Sequence, residues 1–207
     1  MKKTSRWRRH LVGVTGGIAS GKSRVTRWLA QNHGLATIDV DRLARELLQP
    51  GQAGWLALEG RYGSRFRGGD ATLDRPRLRR AIFADSSLRA EIDNLLHPLI
   101  REAMLAEVAR LHPVGRERIL VEVPLLYEAG WASDFSRVIV VWAPEEVCLA
   151  RLLQRDGVSL AEAKAAVAAQ MPLREKAVRA DLLIDNSGSW EATCRQLEKI
   201  EKISENS

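Results

Sequence analysis

The sequence predicts an α/β fold: a parallel sheet covered by helices on both faces. Three observations predict it. Five apolar, β-branched runs occur, LVGVT (11–15), LATID (35–39), RILVEV (118–123), RVIVVW (137–142) and LLIDN (182–186). Helical patterns separate most of them. The runs show little polar alternation, which is how strands read when both faces of a sheet are covered. The expected architecture is a three-layer α/β/α domain. At 207 residues, 45% hydrophobic, the chain can bury one sizeable core with room for an insertion or a lid. It contains no internal repeat and no long low-complexity segment.

The first strand, LVGVT, runs straight into GGIASGKS, residues 16–23. That stretch fits G-x-x-x-x-G-K-[ST], with Gly16, Gly21, Lys22 and Ser23 at the fixed positions. Glycines let successive backbone N–H groups curl around an anion. The helix that follows offers free N–H groups and a partial positive charge at its start. In KSRVTRWLAQN, Val25, Trp28 and Leu29 fall at helical spacing, so one face is buried. Strand, glycine-rich loop and helix together make a phosphate-binding reading, in which Lys22 reaches the outer phosphates and the Ser23 hydroxyl ligates Mg²⁺.

The second run, LATID, is followed by a gap of about 80 residues before the third. A simple crossover needs far fewer. The gap reads as helical: RLARELLQ, AGWLALEGRYG, RPRLRRAIFA and a long run from Ser87 to His112. In the last, Leu88, Ile92, Leu95, Leu96, Leu99 and Ile100 form one face. Pro98 is expected to kink or restart it near His97. RGGDATLDRP (67–76) is a loop within the insertion. After the fourth run, residues 151–180 give two helices with a break at Met171–Pro172, one opened by a capping box of Ser159 and Glu162. Arg151 and Arg155 share a helix face, and Arg174, Lys176 and Arg179 follow. This is either an ordinary helical pair with solvated cations or a lid whose arginines close over a nucleotide.

In an open parallel sheet the ligand lies at the carboxyl ends of the strands. Strand two ends in TIDVD, so Asp39 and Asp41, two apart, face the same way if the strand continues. Asp41 either caps the next helix or accepts a proton from a hydroxyl under phosphorylation. Asp39 is a support residue. Strand three ends in Glu122, either a structural acid paired with Lys22 or a group that orients Mg²⁺. Pro124, Leu125 and Leu126 form a rigid apolar turn suited to a substrate wall, with Glu128 just beyond. The Asn186–Ser187–Gly188 turn is placed to meet a base through its backbone.

The composition narrows the classes. The net charge is +6, but Lys2, Lys3, Arg6, Arg8 and Arg9 supply five positive charges and residues 1–10 hold no acid, which leaves +1 for the body. Nucleic acid is therefore not the expected partner. RWRRH reads as a solvated, disordered extension over 1–9, or as a polyanion-binding arm. No apolar run approaches the roughly 20 residues that span a membrane. No apolar signal core follows the basic start, so the expected location is cytoplasmic. Cys148 and Cys194 are the only cysteines and read as small buried hydrophobes, with no C-x-x-C or His cluster for zinc.

The set TGGIASGKS, IDVDRLARELLQPG, LLHPLI, VPLLYE and QRD followed by LLIDN, from about Leu11 to Gly188, closely resembles dephospho-coenzyme A kinase. The loop alone is shared by many proteins; the later stretches in this order are far more specific. The resemblance implies a P-loop NTPase type of sheet with a helical acceptor-binding insertion and a helical lid. It implies one kinase domain over 10–207: core 10–41 and 114–207, insertion 42–113, lid 151–180. The implied reaction moves the ATP γ-phosphate to the ribose 3′-hydroxyl of dephospho-coenzyme A, the last step of coenzyme A synthesis, with no obligate protein partner. Asp41 would be the base, assisted by Lys22 and Arg155. ATP would meet Gly16, Gly17, Ile18, Ala19, Ser20, Gly21, Lys22, Ser23, Arg24, Arg155, Arg174, Asn186 and Gly188. The acceptor would meet Asp41, His97, Pro124, Leu125, Leu126 and Glu128, and Mg²⁺ would meet Ser23 and Glu122. Two positions depart from the family pattern: Ala19 stands where Gly is usual and Glu122 where Asp is common. Ala suits that position unless it requires φ > 0. The rivals are a nucleoside or nucleotide kinase of the same fold, and a nucleotide-dependent switch or nucleic-acid ATPase using the RWRRH arm.

Overall fold

The computed structural model describes residues 7–112 and 118–200. Its sheet has five parallel strands: β1 (Leu11–Gly16), β2 (Ala36–Asp39), β3 (Ile119–Glu122), β4 (Arg137–Trp142) and β5 (Leu182–Asp185). Their order is β2-β3-β1-β4-β5. Each coincides with one of the five apolar runs. The central β1 is bonded on both edges and buried at every residue. The edges differ from the expectation: Thr37 on β2 is exposed, and Leu183 on β5 is 47% exposed. An edge strand has a neighbour on one side only, so fewer side chains cover it.

Period-two alternation splits the sheet residues between two faces. On one face Val12, Val14, Leu120, Ile139, Val141 and Ile184 pack with Val25 and Leu29 of α1 (Lys22–His33) and Leu197 of α9 (Trp190–Glu198). The intervening Val121, Val138 and Val140, also buried, point to the other. Helix α1 stops at Gly34, whose φ of 63° lets Leu35 N donate back to the Ala30 carbonyl at 3.0 Å.

The chain divides into two compact units, Val40–Glu107 and the sheet-bearing remainder. The former contains α2 (Val40–Leu47), α3 (Ala53–Tyr62), α4 (Arg75–Ala84) and most of α5 (Ser86–Leu111). It has its own core of Trp55, Leu58, Phe66, Leu73, Leu78, Leu88 and Ile92. Asp74 caps α4, accepting from Arg77 N at 2.9 Å. Helix α5 neither breaks nor restarts at Pro98. The lost bond is that to the carbonyl of Asn94, and both residues are exposed, so water can take the carbonyl's place.

The sheet unit also carries α6 (Glu145–Asp156), α7 (Leu160–Ala168) and α8 (Leu173–Val178), so the expected lid region holds three helices rather than two. The capping box forms, with Ser159 N donating to Glu162 Oε2 at 2.9 Å and Glu162 N to Ser159 Oγ at 3.2 Å. Residues 1–6 of the basic extension lie outside the described residues. From Trp7 the chain is not an open arm. Arg8–His10 make a 3-10 turn, Arg8 Nε donates to the Phe135 carbonyl at 3.1 Å, and the rings of Trp7 and His10 lie 4.7 and 4.6 Å from that of His112. Among the described residues no helix is long and apolar enough to cross a membrane.

Candidate active site

The strand register aligns the carboxyl ends: Val14 and Asp39 both pair with Glu122, Gly16 with Val141 and Trp142 with Asp185. The loop Gly16–Ser23 leaves the middle of this row. Gly21 begins α1 at φ 98°, and a Cβ there would run into Asn186 Nδ2, so only glycine fits. Ala19 is left-handed as well, at φ 57°, the one loop position where an L side chain carries that cost. The departure from Gly at this position is thus a strained one.

The loop is held from four directions. Lys22 Nζ donates to the Gly17 carbonyl at 2.8 Å and approaches that of Gly16 at 3.4 Å, which keeps the ammonium inside the curl. Asn186 Nδ2 donates to the Ser20 carbonyl at 2.7 Å, and Thr193 Oγ1 steadies Asn186 Oδ1 at 2.9 Å. Ile18 N donates to Gln170 Oε1 at 2.9 Å. Ser23 Oγ donates to Glu122 Oε1 at 2.7 Å. Ile18 and Ala19 also pack against the apolar cluster of Leu152, Ala163 and Ala166 from α6 and α7.

Several candidate residues sit differently from the expectation. Asp41 is not on a strand beside Asp39: β2 ends at Asp39 and Asp41 lies in the first turn of α2. A carboxylate there complements the helix dipole. Leu126 is fully buried in the core, so it lines no substrate wall. Pro124 and Leu125 are half-buried. Glu128 binds inward: its Oε1 accepts from Lys176 Nζ at 2.7 Å and from Met171 N at 2.9 Å. Lys176 is fully buried and also donates to the Pro124 carbonyl at 2.9 Å, so it is no lid cation. The Asn186 N–H goes to the Trp142 carbonyl at 2.7 Å, so it is not free for a base, and its carbonyl accepts from Arg151 Nη2 at 2.9 Å, which leaves one lone pair. Its service to the loop is through the side chain. Gly188 is exposed with open space around it. In the other unit, His97 is half-buried, with Nε2 3.8 Å from Asp93 Oδ1.

Arg155 and Arg174 are both exposed on the lid region. Arg155 binds Asp156 in two-pronged fashion, at 2.6 and 2.9 Å, and this bond raises its already high pKa, so it is a permanent charge. Arg174 lines a cavity of about 590 Å³ together with Gly17, Ile18, Trp142, Gln170 and Leu173. Arg24 stacks on Trp190, 3.9 Å from guanidinium carbon to ring centroid. No sequence signal points to Gln170 or to the buttressing role of the Asn186 side chain, and Arg151, expected among the lid arginines, donates to the Asn186 carbonyl.

A parallel sheet with a glycine-rich phosphate loop on its central strand, a lysine in the loop and a serine–glutamate pair at the loop's end defines a P-loop nucleotide-binding protein. The comparisons narrow the class. The dephospho-CoA kinase family model matches residues 10–192. A dephospho-CoA kinase of Anaeromyxobacter dehalogenans is 39% identical, over 92% of this chain and 90% of that one. The Arabidopsis thaliana enzyme of the same name is 37% identical, over 92% and 82%. The chain belongs to the dephospho-CoA kinase family. A crystal structure from Thermus thermophilus superposes with a TM-score of 0.77 at 32% identity, over 92% of this chain and 95% of the other. One of dephospho-CoA kinase from Campylobacter jejuni gives 0.64 at 28%, over 92% and 94%.

Proposed function

We infer that this chain performs the ATP-dependent phosphorylation of dephospho-CoA in coenzyme A biosynthesis, with the ribose 3′-hydroxyl as the acceptor atom. The observation that carries the loop's part is the Gly16–Ser23 curl around the Lys22 ammonium, opening α1 at the carboxyl end of the central strand. In our reading Asp41 takes the proton from the 3′-hydroxyl as the new O–P bond forms, and the bond from the γ-phosphorus to the ADP oxygen breaks. Lys22 and the loop amides bind the phosphates and, with Arg155 and Arg174, offset the charge that develops on them. The inserted helices, with His97, take the acceptor.

Ser23 and Glu122 suit Mg²⁺: a hydroxyl and a carboxylate 2.7 Å apart are hard oxygen donors. Among the described residues no group of three or more His, Cys, Asp or Glu could hold a metal, so the ion would share its ligands with the nucleotide and water. When bound, Mg²⁺ neutralises phosphate charge. On this reading we also propose a cytoplasmic location. The test of the base is Asp41→Asn, which keeps shape but removes the acceptor of the proton. ATP affinity by calorimetry should stay near wild type while turnover falls roughly 10²- to 10⁴-fold. Near-normal turnover would overturn the assignment of Asp41.

A further inference from the structure

Gln170 lies between α7 and α8, and no part of the proposed mechanism uses it. Its Oε1 accepts the Ile18 N–H at 2.9 Å. A backbone N–H can donate only to the oxygen of a carboxamide, so the bond also fixes which way the amide faces. The main chain around Gln170 is anchored on both sides. Gln170 N donates to the Val167 carbonyl at 3.1 Å, and Met171 N is held by Glu128 at 2.9 Å. Glu128 in turn is held by the buried Lys176. The side chain therefore reaches the loop from a fixed base.

The segment it holds is the strained one. Ala19, next to Ile18, is left-handed at φ 57°. For an L-residue that conformation costs about 1–2 kcal/mol, and it persists only where the surroundings enforce it. Around it lie the Ile18–Gln170 bond, the packing of Ile18 and Ala19 on α6 and α7, and the turn's own bond from Ser20 N to the Gly17 carbonyl at 3.2 Å.

We propose that Gln170 is a positioning residue for phosphoryl transfer: by holding the Ile18 amide it keeps the left-handed turn at Ala19, and with it the phosphate loop, in the shape that presents the remaining amides and Lys22 to the nucleotide. The proposal rests on the reading that this loop holds ATP.

Four proteins test it: the wild-type chain, Gln170→Ala, Ala19→Gly and the double variant, each assayed for kcat and KM with ATP and for thermal midpoint. Gln170→Ala should lower kcat/KM for ATP about 10- to 100-fold, the scale of a small misplacement in an active site. Glycine adopts φ > 0 without strain, so Ala19→Gly should relieve the need for the strut. The double variant should then come within about twofold of Ala19→Gly alone, the scatter expected when the second change no longer matters. A Gln170→Ala enzyme within twofold of wild type would overturn the proposal. So would a loss that Ala19→Gly leaves unrelieved, because it would place the role of Gln170 elsewhere than in the turn. If the alanine variant folds poorly, Gln170→Met carries the same test, since it keeps length and packing but has no amide oxygen. Failure of the ATP reading itself would show separately, as a wild-type chain that does not bind ATP.

Discussion

The phosphate loop and the segment between α7 and α8 meet at the Ile18 amide, yet they are specified in opposite ways. The loop is local: eight consecutive residues carry its glycines, its lysine and its serine, and the helix it opens follows at once. The α7–α8 segment has almost no local signature. Gln170 meets a residue 152 positions earlier, and Lys176 reaches a carbonyl 52 positions earlier. A motif supplies the groups that bind phosphate. Distant side chains decide whether the motif keeps its shape.

Substitutions on each side can break or sharpen this contrast. The largest effect is expected in the loop itself. Lys22→Ala removes a charged donor aimed at the phosphates and should cut kcat/KM for ATP roughly 10²- to 10³-fold. Unchanged turnover in steady-state assays would contradict the loop's role. Next comes the buried pair. Lys176→Met strands the Glu128 carboxylate, which is only 18% exposed, and should cost about 3 kcal/mol in urea unfolding. Adding Glu128→Leu should restore much of that, because the uncompensated charge is then gone. A Lys176→Met protein as stable as wild type would show that the pair is no anchor.

Asn186→Ala is intermediate. It leaves the Ser20 carbonyl without its partner and takes from the Thr193 hydroxyl its shortest bond, for about 2 kcal/mol of stability and a rise in KM for ATP, read by chemical denaturation and kinetics. The smallest effect is the cap: Ser159→Ala should lower stability by about 1 kcal/mol, measured in the same denaturation series, since the helix start loses one reciprocal pair.

What could be read in advance follows the same division. All five strands were legible because apolar runs of a covered sheet are continuous in sequence. The loop was legible because its chemistry needs glycines at fixed spacing. Ala19 was recognised as the odd residue, but its strain was not, because φ depends on how Ile18 and Ala19 are held. The location of Asp41 was misread through a boundary: the strand ends at Asp39, so a two-residue spacing that would align the carboxylates on a strand instead puts one of them on a helix. The strand-end position of Asn186 predicts a backbone contact to a base, but its side chain braces a carbonyl 166 residues away, a pairing no local pattern encodes. Glu128 and Leu126 were read as substrate contacts because they follow a strand end, whereas burial turns one toward Lys176 and the other into the core.

The most direct measurement of the central claim is ADP release from ATP and Mg²⁺, with and without dephospho-CoA, with the product's phosphate located by phosphorus NMR. The account predicts ADP that depends on the acceptor and a new phosphate on the ribose 3′-hydroxyl. ADP release indifferent to dephospho-CoA, or a phosphate attached elsewhere, would contradict it.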